Sequence, residues 1–391
     1  MKHYILTVAA LLLVLSVAAC HKDPASTADT VSDTTAPVVD TAFFYQQRLY
    51  APGDYGSTNY RIPAIICLED GTLLAVNDTR KYNESDLPQD IDIVCRRSTD
   101  RGRTWSEPVT IARGSGVGHG YGDPALAVTA DGDVLCAFAG GNGYFQSSAA
   151  NPIRVHLTRS VDGGRTWSRP ADITSSLWGS DALGDYEAAF IASGNGLRLD
   201  KGRHRGRILF AAALRRTNST VSDNYVLYSD DGGVSWQRSS LAFEGGDEAK
   251  LIQLADDRVL ISVRRSGARG HNTSADDGET WGSQGTWPEM TVNACNGDML
   301  RIDDTTILHS ITNSIQRENV SLFLSNDEGA TWHSPVTLYG GPSVYSSLTL
   351  LADSTIGAYV ELNPEGPCEL WYMNFNRLWL QEQTGSAFSG L

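Results

Sequence analysis

The sequence predicts an all-β chain folded as a six-bladed β-propeller. Three observations carry that expectation. Helical periodicity is nearly absent over the 391 residues. The octapeptide Ser-x-Asp-x-Gly-x-Thr/Ser-Trp occurs five times, at Ser98–Trp105, Ser160–Trp167, Ser229–Trp236, Ser274–Trp281 and Ser325–Trp332. A looser hairpin, an apolar strand, a short polar turn and another apolar strand, occurs six times.

The octapeptide is a turn with a mechanism. Its Asp can accept hydrogen bonds from backbone N–H groups two residues on, and its Gly tolerates positive φ. The Trp starts the next strand with enough apolar area to fasten one hairpin to its neighbour. The copies start 62, 69, 45 and 51 residues apart, the period of a propeller blade with loops of varying length. The hairpins run Ile62–Asp70 into Thr72–Asn77, Ala125–Ala130 into Val134–Ala139, and Gly196–Asp200 into Ile208–Leu214. Three more follow: Ala249–Ala255 into Val259–Val263, Asp298–Ile302 into Thr306–Ile311, and Ser347–Ala352 into Thr355–Val360. Six hairpins against five turns fit six four-stranded blades, the first five with a turn between strands three and four. A strand within Phe43–Tyr50 then closes the last blade.

The ends lie outside this pattern. Lys2 and His3 precede an apolar run, Ile5–Ala19, too short to span a membrane convincingly. It ends in Val17-Ala18-Ala19-Cys20, which resembles a bacterial lipoprotein signal with Cys20 acylated after cleavage. Residues 21–42, polar and rich in Ala, Thr, Asp and Ser, read as a flexible tether, and 43–391 as one propeller domain. The expected location is therefore the membrane of a Gram-negative bacterium, periplasmic or cell-surface, reached only through the lipid. A net charge of −15 with no basic stripe disfavours nucleic acid. The five cysteines beyond Cys20 (67, 95, 136, 295, 368) and the eight histidines show no metal-ligand spacing, so the cysteines read as small buried hydrophobes. No cofactor or metal is expected, and the chain is expected to be a monomer.

In a propeller the start of each innermost strand and the end of the second share one rim, and the Asp-containing turns lie on the other. The turns are scaffold. The first rim collects the unusual residues: Arg61 before strand one of blade one, Arg80 at the end of its strand two, and Glu84, Asp86, Asp90 and Asp92 in the loop beyond. Asp123 opens blade two, Tyr186 and Glu187 stand before blade three, and Glu248 opens blade four, whose second strand ends in Arg264-Arg265. Arg317 follows strand two of blade five, and Tyr345 opens blade six. A lone Arg at a strand edge usually keeps its head in water. Three converging on one axis repel unless an anion or a carboxylate sits among them, which predicts an anionic ligand.

From about Tyr45 onward these residues resemble the bacterial sialidase (neuraminidase) family. The resemblance rests on Arg61-Ile62-Pro63, the Asp-containing turns, Gly-Asp-Glu-Ala-Lys at 246–250, Ser-Val-Arg at 262–264, Arg317, and Tyr345-Ser346-Ser347-Leu348. It implies a retaining exo-α-sialidase that removes terminal sialic acid from sialylated glycans. Arg61, Arg264 and Arg317 would clamp the sugar carboxylate, with Arg265 the neighbour that a one-residue slip would confuse with Arg264. Arg80 and Asp123 would lie toward the sugar's C4 side. Asp86 would be the general acid/base, with Asp90 the alternative in the same loop. Tyr345 would be the nucleophile, Glu248 its base, and Glu361 the carboxylate that orients Arg61. Transfer to an acceptor, another nonulosonic acid, or sialoside binding without catalysis are the competing readings. The last would not need Glu248, Tyr345 and Asp86 together.

Overall fold

The structure is a computed structural model that describes residues 41–178, 185–292, 294–363 and 366–384. Cys20, the leader and most of the tether lie outside the described residues. The regular elements of the described residues are almost all strands of antiparallel sheet. One four-stranded sheet runs Asn59–Cys67, Leu73–Arg80, Ile91–Ser98, Val109–Ala112. A second runs Gly120–Val128, Val134–Gly141, Arg154–Ser160, Ala171–Asp172, with Gly194–Asn195 added in parallel to its first strand. A third runs Tyr186–Ile191, Ile208–Arg216, Ser222–Ser229, Gln237–Arg238, and a fourth Ala249–Gln253, Val259–Val263, Gly267–Ser274, Gly285–Val292.

The remaining sheet has seven strands because His333–Leu350 serves twice. Its first half pairs with Glu318–Ser325, behind which lie Ile307–Thr312 and Asp298–Arg301. Its second half pairs with Ile356–Leu362, then come Glu369–Phe375 and, last, Phe44–Tyr50. The strand near the N-terminus thus pairs antiparallel with the last strand of the chain, Phe44 opposite Phe375.

Packing follows the same succession. Apolar side chains of each four-stranded unit meet those of the next. Ala64, Leu74 and Val76 meet Leu126 and Val134, and Leu135 and Val155 meet Ile191 and Phe210. A further cluster joins Leu351, Tyr359 and Tyr372 near the C-terminus to Tyr60, Ile65 and Leu73 near the N-terminus. Each turn Trp sits in one of these seams: Trp105, Trp167, Trp236, Trp281 and Trp332 each belong to a different cluster. The seam between the two units that share His333–Leu350 has no turn Trp, and Trp379 of the helix Arg377–Thr384 packs there instead. Repeated sheets joined face to face in sequence, the last to the first, are the arrangement of a β-propeller.

The turns form as their residue types require. In the second, Asp162 accepts from the Ser160 hydroxyl at 2.8 Å and from the backbone N–H groups of Arg165 and Thr166 at 3.0 and 2.9 Å. Ser160 in turn receives the N–H of Gly164, whose φ is 80°. Hydrogen bonds from Thr166 hold the Asp162 carboxyl down at about 2.

Two expectations are corrected. The third hairpin forms, Leu197–Arg198 pairing with Ile208–Leu209, but the sheet's inner strand begins upstream of it, at Tyr186. Tyr186–Ile191 pairs with Ile208–Arg216, and only Leu197–Arg198 of the expected strand follows it on the same partner. Gly194, at φ 102°, swings the intervening backbone across to the second sheet. Tyr186 and Glu187 therefore lie within the sheet, tied to Asp223 and Arg215, and not in front of it. Of the five cysteines, Cys95, Cys136 and Cys295 are buried, but Cys67 and Cys368 are only partly so.

Candidate active site

The site residues sit where the innermost strands break register. Pairing of Asn59–Cys67 with its neighbour skips from Arg61 to Ala64, and Ile62 adopts φ 61°. The second innermost strand repeats the device: pairing skips from Gly122 to Ala125, and Asp123 has φ 60°. In both, the next residue is a proline, which has no N–H to lose to the ladder. Pairing also breaks between Ser343 and Ser346, around Tyr345. Such bulges re-aim side chains, and here they turn Arg61, Asp123 and Tyr345 into one cleft. A β-branched residue at positive φ is strained. Ile62 is kept there by Glu361, which accepts its N–H at 2.5 Å.

The cleft holds about 510 Å³ and is lined by Arg61, Asp86, Asp123, Glu248, Arg264, Arg317 and Tyr345, among others. At its floor the Tyr345 hydroxyl donates to Glu248 Oε2 at 2.7 Å and accepts from Arg264 Nη1 at 2.8 Å. Arg264 Nη1 also donates to the same Glu248 oxygen, and its Nε lies 3.5 Å from Asp247. Arg61 and Arg317 stand over the Tyr345 ring, 5.4 and 5.9 Å from its centre. Glu361, fully buried, receives Arg61 Nη2 at 3.0 Å and the Tyr345 N–H at 3.3 Å, both on Oε2. One carboxylate thus fixes an arginine and the backbone of the tyrosine beside it. Arg265 points elsewhere, its guanidinium 5.5 Å from the Phe243 ring.

At the other end Asp86 stands on the loop after Leu73–Arg80, its side chain 73% exposed and 2.7 Å from Arg80 Nη2. Arg80 itself is 1% exposed and does not line the cleft. It is held between Asp86, Asp78 at 3.1 Å and the Glu84 carbonyl, and so positions the Asp86 loop from behind. Asp90 and Asp92 are engaged by Lys81, at 2.7 and 2.9 Å, away from the cleft. Of the acidic residues in this stretch, Asp86 is the one that lines it.

The electrostatics sort these groups by role. Burial, reinforced by the Glu248 charge, pushes the Tyr345 phenol well above its ordinary value, so it enters any reaction neutral. Burial pushes Asp123 well above the carboxylate range, with Asp78, Asp86 and Glu248 adding to it. Burial likewise lifts Asp78 to about 7, against the pull of Arg80. Burial also raises Asp86, but Arg80, then Arg61 and Arg264, outweigh it and hold this carboxyl below its usual value.

Sequence reasoning missed two parts. Asp78 caps the bulge of the second innermost strand by accepting the Asp123 N–H at 3.1 Å. Its signal was available, since Asp78 and Arg80 share one strand face. The second is an apolar wall of Leu87, Tyr144, Phe145, Ile153 and Phe190. Arg215 steadies it by donating to the carbonyls of Tyr144 and Ser147 at 3.2 and 2.9 Å. No spacing in the sequence marks this wall, because most of it comes from an irregular loop.

Three arginines gathered around a neutral phenol that is hydrogen-bonded to a carboxylate, with a second carboxyl on the same cleft, define the class of site. Residues 71–358 match the BNR repeat-like domain, which shows the family. The chain is 30% identical to a sialidase of Micromonospora viridifaciens, over 94% of its own length and 59% of that relative's. It is 26% identical to a sialidase of Bacteroides fragilis, over 79% of its length and 61% of the relative's. The chain thus spans about three fifths of these curated relatives. Among solved structures, the Hadza microbial sialidase Hz136 superposes with a TM-score of 0.73 at 25% identity, over 84% of this chain and 68% of that one. The chain belongs to the BNR repeat-like domain family, and over most of its length it is similar to bacterial sialidases.

Proposed function

We propose that the protein is a retaining exo-α-sialidase on a closed six-bladed propeller. It hydrolyses terminal, α-ketosidically linked sialic acid on glycoproteins, glycolipids and oligosaccharides. The observation that carries this reading is the Tyr345–Glu248–Arg264 cluster, bonded at 2.7 and 2.8 Å and flanked by Arg61 and Arg317. Sialic acid bears a carboxylate on its anomeric carbon, which the three arginines would hold. A carboxylate nucleophile approaching that carbon meets like charge, whereas a phenol is neutral until its proton leaves. Sialidases with a Tyr nucleophile are a known exception to the two-carboxylate rule of glycosidases.

The steps follow. Tyr345 Oη bonds to the anomeric carbon as its proton passes to Glu248. The glycosidic C–O bond breaks, and Asp86 protonates the departing oxygen. Asp86 then takes a proton from water, whose oxygen attacks the same carbon, and the Tyr345 phenolate leaves and recovers its proton from Glu248. Two displacements retain the configuration. Proton NMR of sialyllactose hydrolysis tests this directly: α-sialic acid should appear first and mutarotate afterwards. First release of the β-anomer would overturn the double displacement, and sialoside binding without turnover would leave only a binding protein.

Asp86 needs a proton to act first as an acid, yet in the free site the arginines hold it ionised. The substrate carboxylate would cancel part of that positive field, and the sugar would exclude water from the loop. Both raise Asp86. A raised acid keeps its proton to higher pH, so the basic limb of kcat should lie at higher pH than that of kcat/KM. Coincident limbs would remove this account of how Asp86 is charged with its proton.

A further inference from the structure

Asp86 stands on a stretch with no ladder to hold it. Residues 81–90 link the strands Leu73–Arg80 and Ile91–Ser98 without a helix or strand of their own. A proton donor must nevertheless stay within hydrogen-bond reach of the oxygen it serves. Arg80 grips the middle of this loop, through Asp86 and the Glu84 carbonyl. The next residue, Lys81, grips its base. The Lys81 ammonium has three N–H donors, and three acceptors meet them: Asp90 Oδ1 at 2.7 Å, Asp92 Oδ1 at 2.9 Å and the Gly114 carbonyl at 3.0 Å. The Lys81 backbone N–H also donates to the Asp90 carbonyl at 3.5 Å, so backbone and side chain both join the start of the loop to its end.

The last of those acceptors belongs to a second loop, residues 113–119, which packs against the first. The Gly114 N–H donates to the same Asp92 oxygen at 2.7 Å, and the Gly118 N–H donates to the Pro88 carbonyl at 2.6 Å. The two backbones meet where a side chain has no room. A Cβ on Gly120 would lie 2.1 Å from the Gln89 carbonyl oxygen, and one on Gly114 would lie 2.6 Å from that of Ile91. Pro88 and Gln89 line the cleft with Asp86, so these contacts reach the part of the loop that carries the acid. The other cation nearby, Arg113, is 4.0 Å from the far oxygen of Asp92 and its side chain is 73% exposed. Lys81 is the cation bonded to both carboxylates. Without it Asp90 and Asp92 would face each other as like charges where the two ends of the loop come together.

We propose that Lys81 is a positioning residue for Asp86: its ammonium fastens the ends of the 81–90 loop to each other and to residues 113–119, and so holds the Asp86 carboxyl in the cleft. The inference rests on Asp86 being the general acid. Two readouts test it. Displacing a catalytic group by about 1 Å can lower a rate about 10²-fold, so kcat/KM of Lys81→Met on sialyllactose should fall about tenfold or more. On an aryl sialoside, which departs without a proton, it should stay within about twofold of wild type. Lys81→Arg, which keeps the charge and the donors, should restore most of the loss. A merely structural role would lower both substrates alike. The second readout is backbone hydrogen exchange. The N–H groups of Gln89, Gly114 and Gly118, bonded within and between the two loops, should exchange about tenfold faster in Lys81→Met, with the strand Leu73–Arg80 unchanged. If the Met variant does not fold, Asp90→Asn, which removes one partner of the ammonium, serves in its place. Unmoved exchange in a folded variant ends the proposal. So does faster exchange with a wild-type ratio of the two substrates, where Asp86→Ala shifts that ratio. A wild-type ratio in Asp86→Ala itself would instead sink the acid assignment, while exchange still decides whether Lys81 holds the loop.

Discussion

Asp86→Ala is expected to keep its first-step rate on an activated aryl sialoside within about tenfold of wild type, and to lose ~10²–10⁴-fold on sialyllactose. An aryl oxide departs without a proton, whereas a sugar alkoxide does not. Tyr345→Phe removes the attacking oxygen, which no leaving group replaces. It should therefore fall on both substrates by similar factors, on the order of 10³-fold or more. The cleft sharpens the contrast, because the two residues are held by different partners. Asp86 hangs from Arg80 on an exposed loop, and Tyr345 is fixed to Glu248, Arg264 and Glu361. The measurement is the ratio of aryl to lactoside rates for each variant. A wild-type ratio in Asp86→Ala would take the acid role from Asp86. Asp90 and Asp92 could not inherit it without leaving Lys81.

The second large effect concerns adjacent arginines. Arg264→Ala removes a proposed carboxylate ligand and also the cation bonded to Glu248 and Tyr345. Leaving partners of a buried charged group unpaired costs ~2–5 kcal/mol, so kcat/KM should fall roughly 10²–10³-fold or more. Arg265→Ala loses only a contact with Phe243, about 0.5–1 kcal/mol of stability, and should change kcat/KM less than about threefold. Comparable losses for the two variants would mean that the loop after Val259–Val263 rearranges when substrate binds.

Much of this was legible in the sequence because the fold repeats itself. Five turns with identical side-chain logic and six hairpins exposed the architecture. Arg61, Asp123 and Tyr345 stood out as polar residues at equivalent points of otherwise apolar strands. What escaped was non-repeating. Gly194 splits the third innermost strand by a single backbone torsion that its neighbours in sequence do not announce. Arg80 reads as a ligand-facing strand end, but two carboxylates hold it below the surface. The wall around Tyr144 and Phe145 depends on a carbonyl-gripping arginine about seventy residues away, a contact with no local signature.

The pairing of Phe44–Tyr50 with Glu369–Phe375 has a consequence for how the chain matures. Phe43 donates to Asn376 at 3.2 Å across 333 positions, so the contact that finishes the last sheet has nearly the greatest sequence separation the described chain allows. Contacts of that separation cost the most chain entropy before they return any stability, and they slow folding. On the ribosome the first strand is made early but its partner comes last. Until then Phe44–Tyr50 has no ladder, and the edge of Glu369–Phe375 is open to any other extended segment. A polypeptide shortened past Tyr50 would keep every cleft residue named above and lose this strand. It would then meet its own kind edge to edge, and the amount of soluble protein, more than its intrinsic rate, would register the loss.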